Sequence, residues 1–310
     1  MEVLFVFLLA LVLDFFVGEP PRPVHPVVWM GKLISLLERI AFPRDSRAQF
    51  IYGGMMCLLT ILVFVLPVYF LLSFLHDLNS IAYVFLAALL LKSTFAFREL
   101  RQTALMVKSF LSQDNLKKAC AAMPALVSRD TQGMGKPELI SATIESVAEN
   151  ICDSFIAPLF YFLFLGVSGA IAYRVVNTLD AMIGYHGEWE YLGKFAARLD
   201  DILNFVPARI SGLLLVAAAY LYHKDGKSAW RIMLRDHYKT ESPNAGWTIS
   251  AMAGALGTRL EKRAYYTLGD SSNPLSNQLI GSGVRLLDIS ALLWIGLYLI
   301  MEVMFFVFIT

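Results

Sequence analysis

Glu145, Glu149 and Asp153 stand four residues apart in the stretch Glu145-Ser146-Val147-Ala148-Glu149-Asn150-Ile151-Cys152-Asp153. In a helix this spacing stacks three carboxylates on one face, and Glu138, one heptad before Glu145, extends the stripe. Like charges so placed weaken a helix by roughly tenths of a kcal/mol per pair, and by more where the dielectric falls. A divalent cation, a basic side chain or a shared proton would neutralise them; a solvated helix face is the plain alternative. Just upstream, Ser128-Arg129-Asp130-Thr131-Gln132-Gly133-Met134-Gly135-Lys136-Pro137 sets Arg129 and Lys136 among glycines, in a turn suited to phosphate. It is not a Walker A loop, because Asp130 stands where the first glycine belongs and Pro137 follows the lysine. Basic groups beside a row of carboxylates suit a magnesium–phosphate pair, since magnesium keeps most of its waters and uses few carboxylates. An ordinary helix start, with Pro137 in its first turn, accounts for the same residues.

Three further stretches carry polar groups. Asp14-Phe15-Phe16-Val17-Gly18-Glu19-Pro20 leads to Val24-His25-Pro26-Val27, and Pro20, Pro21 and Pro23 hold the backbone between them extended. His25 therefore sits in a fixed, non-helical setting, as a ligand contact or as a hydrogen-bonded loop residue. Asp14 reads equally as an interfacial anchor. Further on, Arg174-Val175-Val176-Asn177-Thr178-Leu179-Asp180-Ala181-Met182-Ile183-Gly184-Tyr185 precedes Ala197-Arg198-Leu199-Asp200-Asp201-Ile202-Leu203-Asn204, which runs on to Pro207-Ala208-Arg209. In a helix Asp200 shares a face with Asn204, and Arg198 with Asp201. Polar groups gathered at a membrane boundary are a functional hypothesis by default; interfacial anchoring through internal salt bridges is the competing account. Finally, Ser242-Pro243-Asn244-Ala245-Gly246 opens a small-residue helix with Ser242 as its N-cap. Its first N–H groups favour an anion such as phosphate, while Gly246, Ser250 and Gly254 permit close helix packing.

The elements that must position these groups are membrane helices. The chain has 310 residues, 57% hydrophobic and 16% charged, with a mean hydropathy of +0.59, where a soluble domain carries about 25% charged residues. A net charge of +1 points to no nucleic-acid partner. Cys57, Cys120 and Cys152 are scattered, with neither a metal spacing nor a disulfide framework. Met1 to Leu13 resembles a signal peptide in length but lacks a basic leader. Asp14 and Gly18-Glu19-Pro20 follow it in place of a small-residue cleavage site, so it reads as a retained first span.

Apolar segments run at about 1–17, 51–75, 80–97, 155–176, 203–222 and 289–309, and a bilayer crossing takes roughly 20 apolar residues. Segments 51–75, 155–176 and 289–309 reach that length, and 1–17 and 80–97 approach it. The 203–222 segment carries Pro207 and Arg209 near its start, so it tilts, breaks or inserts only in part. An amphipathic helix is expected near 98–119. The expected fold is an all-α, polytopic integral membrane domain over 1–310, with about 4–6 transmembrane helices. Helical polar loops fill 18–50, 98–154, 177–202 and 223–288.

Lysine and arginine crowd loops 18–50, 98–154 and 223–288, which places these loops in the cytoplasm and both termini outside. Strict alternation then puts 177–202 outside, where Lys194 and Arg198 face five carboxylates. Alternatively, 155–176, with Gly166 and Gly169 near its middle, re-enters without crossing, and the span after it does the same.

In this order the polar stretches resemble the adenosylcobinamide-phosphate synthase family of cobalamin biosynthesis, a polytopic membrane family. The matching pieces are Asp14 with Gly18-Glu19-Pro20, His25-Pro26-Val27, Arg129-Asp130-Thr131, the Glu145 to Asp153 stretch, Asn177 to Tyr185, Ala197 to Arg209, and Ser242 to Gly246. Each is weak alone; seven in register over most of the chain are specific. Glu19 departs from a common aspartate, and Cys152 occupies a variable position.

The resemblance implies a multi-pass cell (inner) membrane enzyme with mainly cytoplasmic polar loops, working in the lipid bilayer and beside other membrane enzymes of cobalamin assembly. It implies a ligase that joins (R)-1-amino-2-propanol, or its O-phosphate, to the free propionate of adenosylcobyric acid by an amide bond. The corrinoid is then a substrate, and carboxylate activation implies ATP and Mg2+. On that basis Glu145, Glu149 and Asp153 bind the metal, while Arg129, Arg198 and Arg209 hold phosphates. Asp180, Asp200 and Asp201 orient or deprotonate the amine. Asn204 and Asn244 contact the corrinoid amides, and His25 and Ser242 complete the substrate-binding set. A corrinoid transporter or permease subunit is the rival from another class. It would place ionisable groups at the bilayer midplane, whereas the polar matches here lie mostly at span edges.

Overall fold

The computed structural model describes residues 2–41, 45–127, 131–184, 190–262 and 265–309, which form thirteen α-helices and one two-stranded hairpin. Four helical stretches among them are long and apolar enough to cross a membrane: Ser46–Leu78, Ser80–Ser112, Lys136–Ile183 and Asn277–Met304. Counting Glu190–Leu203 and Phe205–Leu221 as one broken span makes five. The protein is an all-α, polytopic membrane protein, as its composition requires. Helix α1 (Glu2–Phe16) is shorter than a crossing needs: its 15 residues rise about 22 Å against a hydrocarbon core of about 30 Å.

By internal packing the chain divides into two compact units, Met1–Ala96 with Ala157–Leu203, and Phe97–Ile156 with Asn204–Thr310. The first unit holds α1, α2 (Pro26–Ile40), α3 (Ser46–Leu78), α4 (Ser80–Lys92), α8 (Ala157–Ile183) and α9 (Glu190–Leu203). Helix α3 packs on α8 and α9, and α1 on α4. Asp45 starts α3 by accepting from the N–H groups of Arg47 and Ala48. Leu58, Leu62, Leu66, Phe70 and Phe74 then make an exposed apolar stripe along α3, which suits lipid rather than water. The prolines after Gly18 do not abolish helical structure, contrary to expectation. Their fixed φ permits a 3-10 turn at Arg22–Val24 with a proline in its first positions, and α2 starts at Pro26.

Helix α8 doubles back on itself. Gly166 has φ +64° and ψ −162°, a region open essentially to glycine alone. The rings of Tyr161 and Tyr173 stack 5.3 Å apart, across the turn. A Cβ at Gly169 would meet the Cβ of Leu165 at 2.3 Å, so both glycines flagged in the sequence serve this reversal. Tyr161 also donates to the backbone carbonyl of Leu203 at 2.8 Å, tying the first leg to the end of α9.

The second unit holds α5 (Phe97–Ser112), α6 (Leu116–Ala122), α7 (Lys136–Ile151), α10 (Phe205–Leu221), α11 (Gly226–Asp236), α12 (Ala245–Leu256), the strands β1 (Leu260–Lys262) and β2 (Tyr266–Leu268), and α13 (Asn277–Ile309). The expected helix near 98–119 is two: α5 ends at Ser112, Asp114 turns with φ +51°, and Asn115 caps α6. Helix α12 packs closely on α11, where a Cβ at Gly254 would meet the backbone of Ser228 and Ala229 at 2.6–2.7 Å. The small residues there serve packing. The expected cap at Ser242 is corrected. Its hydroxyl accepts from the N–H of Asn244 in a local turn, and the helix starts at Ala245 with Asn244 in the cap position.

Candidate functional site

The acidic stripe lies in the second unit, on α7 and the π-helical turn Cys152–Ile156 that continues it. Glu138 faces back to the helix start, accepting from the N–H of Gly135 at 2.7 Å. Glu145 is buried, 4% exposed. Its two oxygens accept from Ser141 Oγ at 2.6 Å and from the Tyr266 hydroxyl at 2.9 Å. Ser141 in turn accepts from the N–H of Glu261, so the hairpin is fastened to α7 at both strands. Glu149 and Asp153 are partly exposed. The wider π turn moves Asp153 out of the simple four-residue register with Glu149. Among the described residues no three His, Cys, Asp or Glu side chains are grouped to hold a metal, so the stripe is not a closed protein cage.

A second cluster in this unit gathers Arg209, Ser242 and Asn244 from α10 and the α11–α12 connection. Arg209 donates to Asn244 Oδ1 at 3.0 Å and to the Phe205 carbonyl at 2.7 Å. Its guanidinium carbon lies 3.6 Å from the Phe205 ring centroid and 4.9 Å from that of Trp247. The His237 ring packs on Trp247 at 4.2 Å. A guanidinium held on aromatic faces is pre-organised for planar or anionic groups. Asn204, 2% exposed, lies at the break before α10, with the Cys152 thiol 3.8 Å from its Oδ1. Helix α9 ends at Leu203, and Asn204 stands in the cap position of α10.

The first unit places the remaining candidates. Arg174 donates to Asn177 Oδ1 at 3.2 Å, and Asn177 donates to the buried Asp200 at 3.4 Å. Arg198 is exposed and lies 3.6 Å from Asp201, the expected pair. Asp180 sits against Gly184, where a Cβ would meet its carboxylate at 2.2 Å. His25 caps α2: Nδ1 accepts from the N–H of Val27 at 3.2 Å, while Nε2 lies 2.8 Å from Glu19. These contacts assign the ring proton to Nε2 in the neutral form. Lys92, 2% exposed, reaches Glu19 at 2.7 Å, Asp14 at 3.1 Å and the Phe95 carbonyl at 3.1 Å. Burial pushes the Glu19 carboxyl up, but His25 and Lys92 outweigh it and hold it below its ordinary value. Arg129 lies outside the described residues.

A family model described as CobD/Cbib protein matches residues 7–290, nearly the whole chain. The chain belongs to the CobD/Cbib family. It is 49% identical over 295 residues to "Cobalamin biosynthesis protein CobD" of Dehalococcoides mccartyi, covering 95% of this chain and 96% of that one. It is 43% identical over 291 residues to "Probable cobalamin biosynthesis protein CobD" of Methanothermobacter thermautotrophicus, covering 93% and 94%. No solved structure matches it. Within this CobD/Cbib chain the sequence left several partners without a role. Tyr266 holds Glu145 across 121 residues, and no local pattern announces it. Phe205 precedes Arg209 by four residues and Trp247 follows Asn244 by three, so helical spacing carried a signal for both. Lys92 is a lone charge at the end of an apolar run, and its acid partners lie 73 and more residues away.

Proposed function

We propose that this CobD/Cbib protein works in cobalamin biosynthesis as an ATP-dependent acid–amine ligase. It joins aminopropanol, or its O-phosphate, to the free propionate of adenosylcobyric acid and yields adenosylcobinamide or its phosphate. The observation that carries the reading is the Arg209–Asn244 pair seated on Phe205 and Trp247 in a chain of this family. It offers a fixed cation and an amide to a ligand that bears phosphate and many carboxamides. In this reading Arg209, with Ser242 and Asn244, binds the phosphate and amides, and Asp200, oriented by Asn177, accepts from the incoming ammonium and takes its proton. Asp180 and Asp201 are proposed beside Asp200 to orient or deprotonate the amine, and Arg198, Asn204, His25 and Arg129 complete the proposed substrate-binding set.

ATP supplies activation of the carboxylate, and Mg2+ neutralises its phosphates. The donor set suits a magnesium held chiefly by phosphate and water, with Glu149 and Asp153 as hard oxygen ligands. Glu145, buried and with both oxygens already receiving hydroxyl hydrogen bonds, is the least available ligand of the three.

The test is direct. Purified protein in liposomes receives adenosylcobyric acid, aminopropanol phosphate, ATP and magnesium, and mass spectrometry reads the products. An ATP-dependent corrinoid with the mass of the amide is the expected result. Corrinoid that stays bound without product would overturn the ligase and favour transport.

A further inference from the structure

Helix α2 carries a feature the proposed reaction does not use. Val28, Lys32, Ser35 and Arg39 fall on one of its faces, at successive turns. With Met182 from the end of α8, that face lines an open groove of about 610 Å³. Lys32 and Arg39 are both exposed, and among the described residues neither has a carboxylate partner. The groove is therefore positive at two points one helical stretch apart, with a hydroxyl between them and apolar walls on the remaining sides.

The surroundings are apolar as well. Trp29, Leu36 and Ile40 are exposed on the same helix, and the Trp29 indole N–H is anchored on the Pro23 carbonyl. Tryptophan and cationic side chains on one short amphipathic helix mark the headgroup layer of a bilayer, where stems lie in hydrocarbon and charges reach phosphate. The 18–50 segment is also among the most basic in the chain, and such segments face the anionic leaflet.

We propose that this groove is a binding site for the phosphate headgroup of an anionic phospholipid. Lys32 and Arg39 bind the phosphodiester, Ser35 donates to it, and an acyl chain runs along Val28, Leu36 and Met182. A free phosphate would satisfy the two cations but would leave the apolar walls wet, so the lipid is the occupant the lining favours. This site does not depend on the ligase reading.

Native mass spectrometry on the detergent-purified protein tests it, titrating phosphatidylglycerol and phosphatidylcholine separately. The wild type should retain phosphatidylglycerol in preference, and the preference should weaken with added salt. The double variant K32Q/R39Q should bind phosphatidylglycerol about thirtyfold more weakly, from about 1 kcal/mol per basic residue near an anionic surface. K32R/R39K should bind it nearly as the wild type does, which separates charge from folding. Equal retention of the two lipids by the wild type would overturn the proposal, as would unchanged binding in K32Q/R39Q. Displacement of the lipid by inorganic phosphate or aminopropanol phosphate at constant ionic strength would overturn it in favour of a soluble phosphate ligand.

Discussion

Tyr161 and Tyr173 stack face to face with ring centroids 5.3 Å apart and planes 15° from parallel. Twelve residues of straight helix would separate them by about 18 Å, so the apolar stretch around Gly166 turns back within unit one. A turn at Gly166 is what the re-entrant alternative requires of the chain.

That geometry predicts a cytoplasmic signal from a reporter fused after residue 190; an outside signal would restore a crossing at 155–176. Gly166→Val should destabilise the protein by about 2–3 kcal/mol, because a β-branched side chain cannot hold this backbone without strain. Thermal unfolding in detergent reads this, and Gly296→Val, at an open helical glycine, is the control.

Lys92 carries the next prediction. Lys92→Met would leave Asp14 and Glu19 without their shared cation in a buried setting, a loss of about 3 kcal/mol. The sign of the pH dependence follows from Glu19, whose folded value is depressed. Its contribution is present above its ordinary value near 4.5 and is lost as pH falls through the folded value. The gap in melting temperature between wild type and Lys92→Met should therefore be widest near neutrality and close on acidification. A gap independent of pH would show that Lys92 acts through packing alone.

The class of this fold was legible from composition, because a chain with so few charges has nowhere to place its apolar surface but lipid. Local signals were legible too: Pro137 opens α7, Arg198 meets Asp201 three residues on, and Gly254 permits close packing. What stayed hidden was long-range. Glu145 reads as a repelling member of a charged stripe until the hairpin brings Tyr266 to it. Asn204 reads as the next turn of the helix of Asp200 until the helix breaks. Periodicity describes one element at a time, and these residues take their meaning from another.

The same contrast separates metal ligands from structure on α7. Glu149→Ala is expected to abolish turnover while expression and membrane insertion persist, and Asp153→Asn should raise the magnesium concentration needed for half-maximal rate. Tyr266→Phe removes one hydrogen bond to Glu145 and should lower stability by about 1–2 kcal/mol, with the magnesium dependence unchanged. Normal turnover in Glu149→Ala would remove that residue from the metal site.

Asp236 predicts where acid loosens the second unit. It is fully buried, paired with Arg235 at 2.7 Å and Lys239 at 2.5 Å, and it accepts from the N–H of Gly269 at the end of β2. Burial pushes its carboxyl up; the two cations and the N–H outweigh this and hold it well below the usual carboxylate range. Its stabilisation is complete above the ordinary value near 3.8 and is lost only in strong acid. Asp236→Asn should lower stability by about 2 kcal/mol at pH 7, a figure reduced because Arg235 and Lys239 are partly exposed. Faster amide exchange at residues 266–270 in the variant checks the link to the hairpin.

Arg209 is the sharpest test of the candidate site, because its charge and its shape act separately. Arg209→Lys keeps the cation but gives up the planar stack on Phe205 and the fixed reach to Asn244. If the guanidinium binds a phosphate or carboxamide of the substrate, Arg209→Lys should raise KM about tenfold or more with a smaller change in kcat, and Arg209→Ala should lose more. Asn244→Ala frees the guanidinium from one of its acceptors and should raise KM less than Arg209→Ala does. Phe205→Leu removes the ring while leaving the backbone carbonyl that Arg209 also binds, so it isolates the stack. A merely structural arginine would instead lower the melting temperature in all four variants and leave the KM of whatever protein remains folded unchanged.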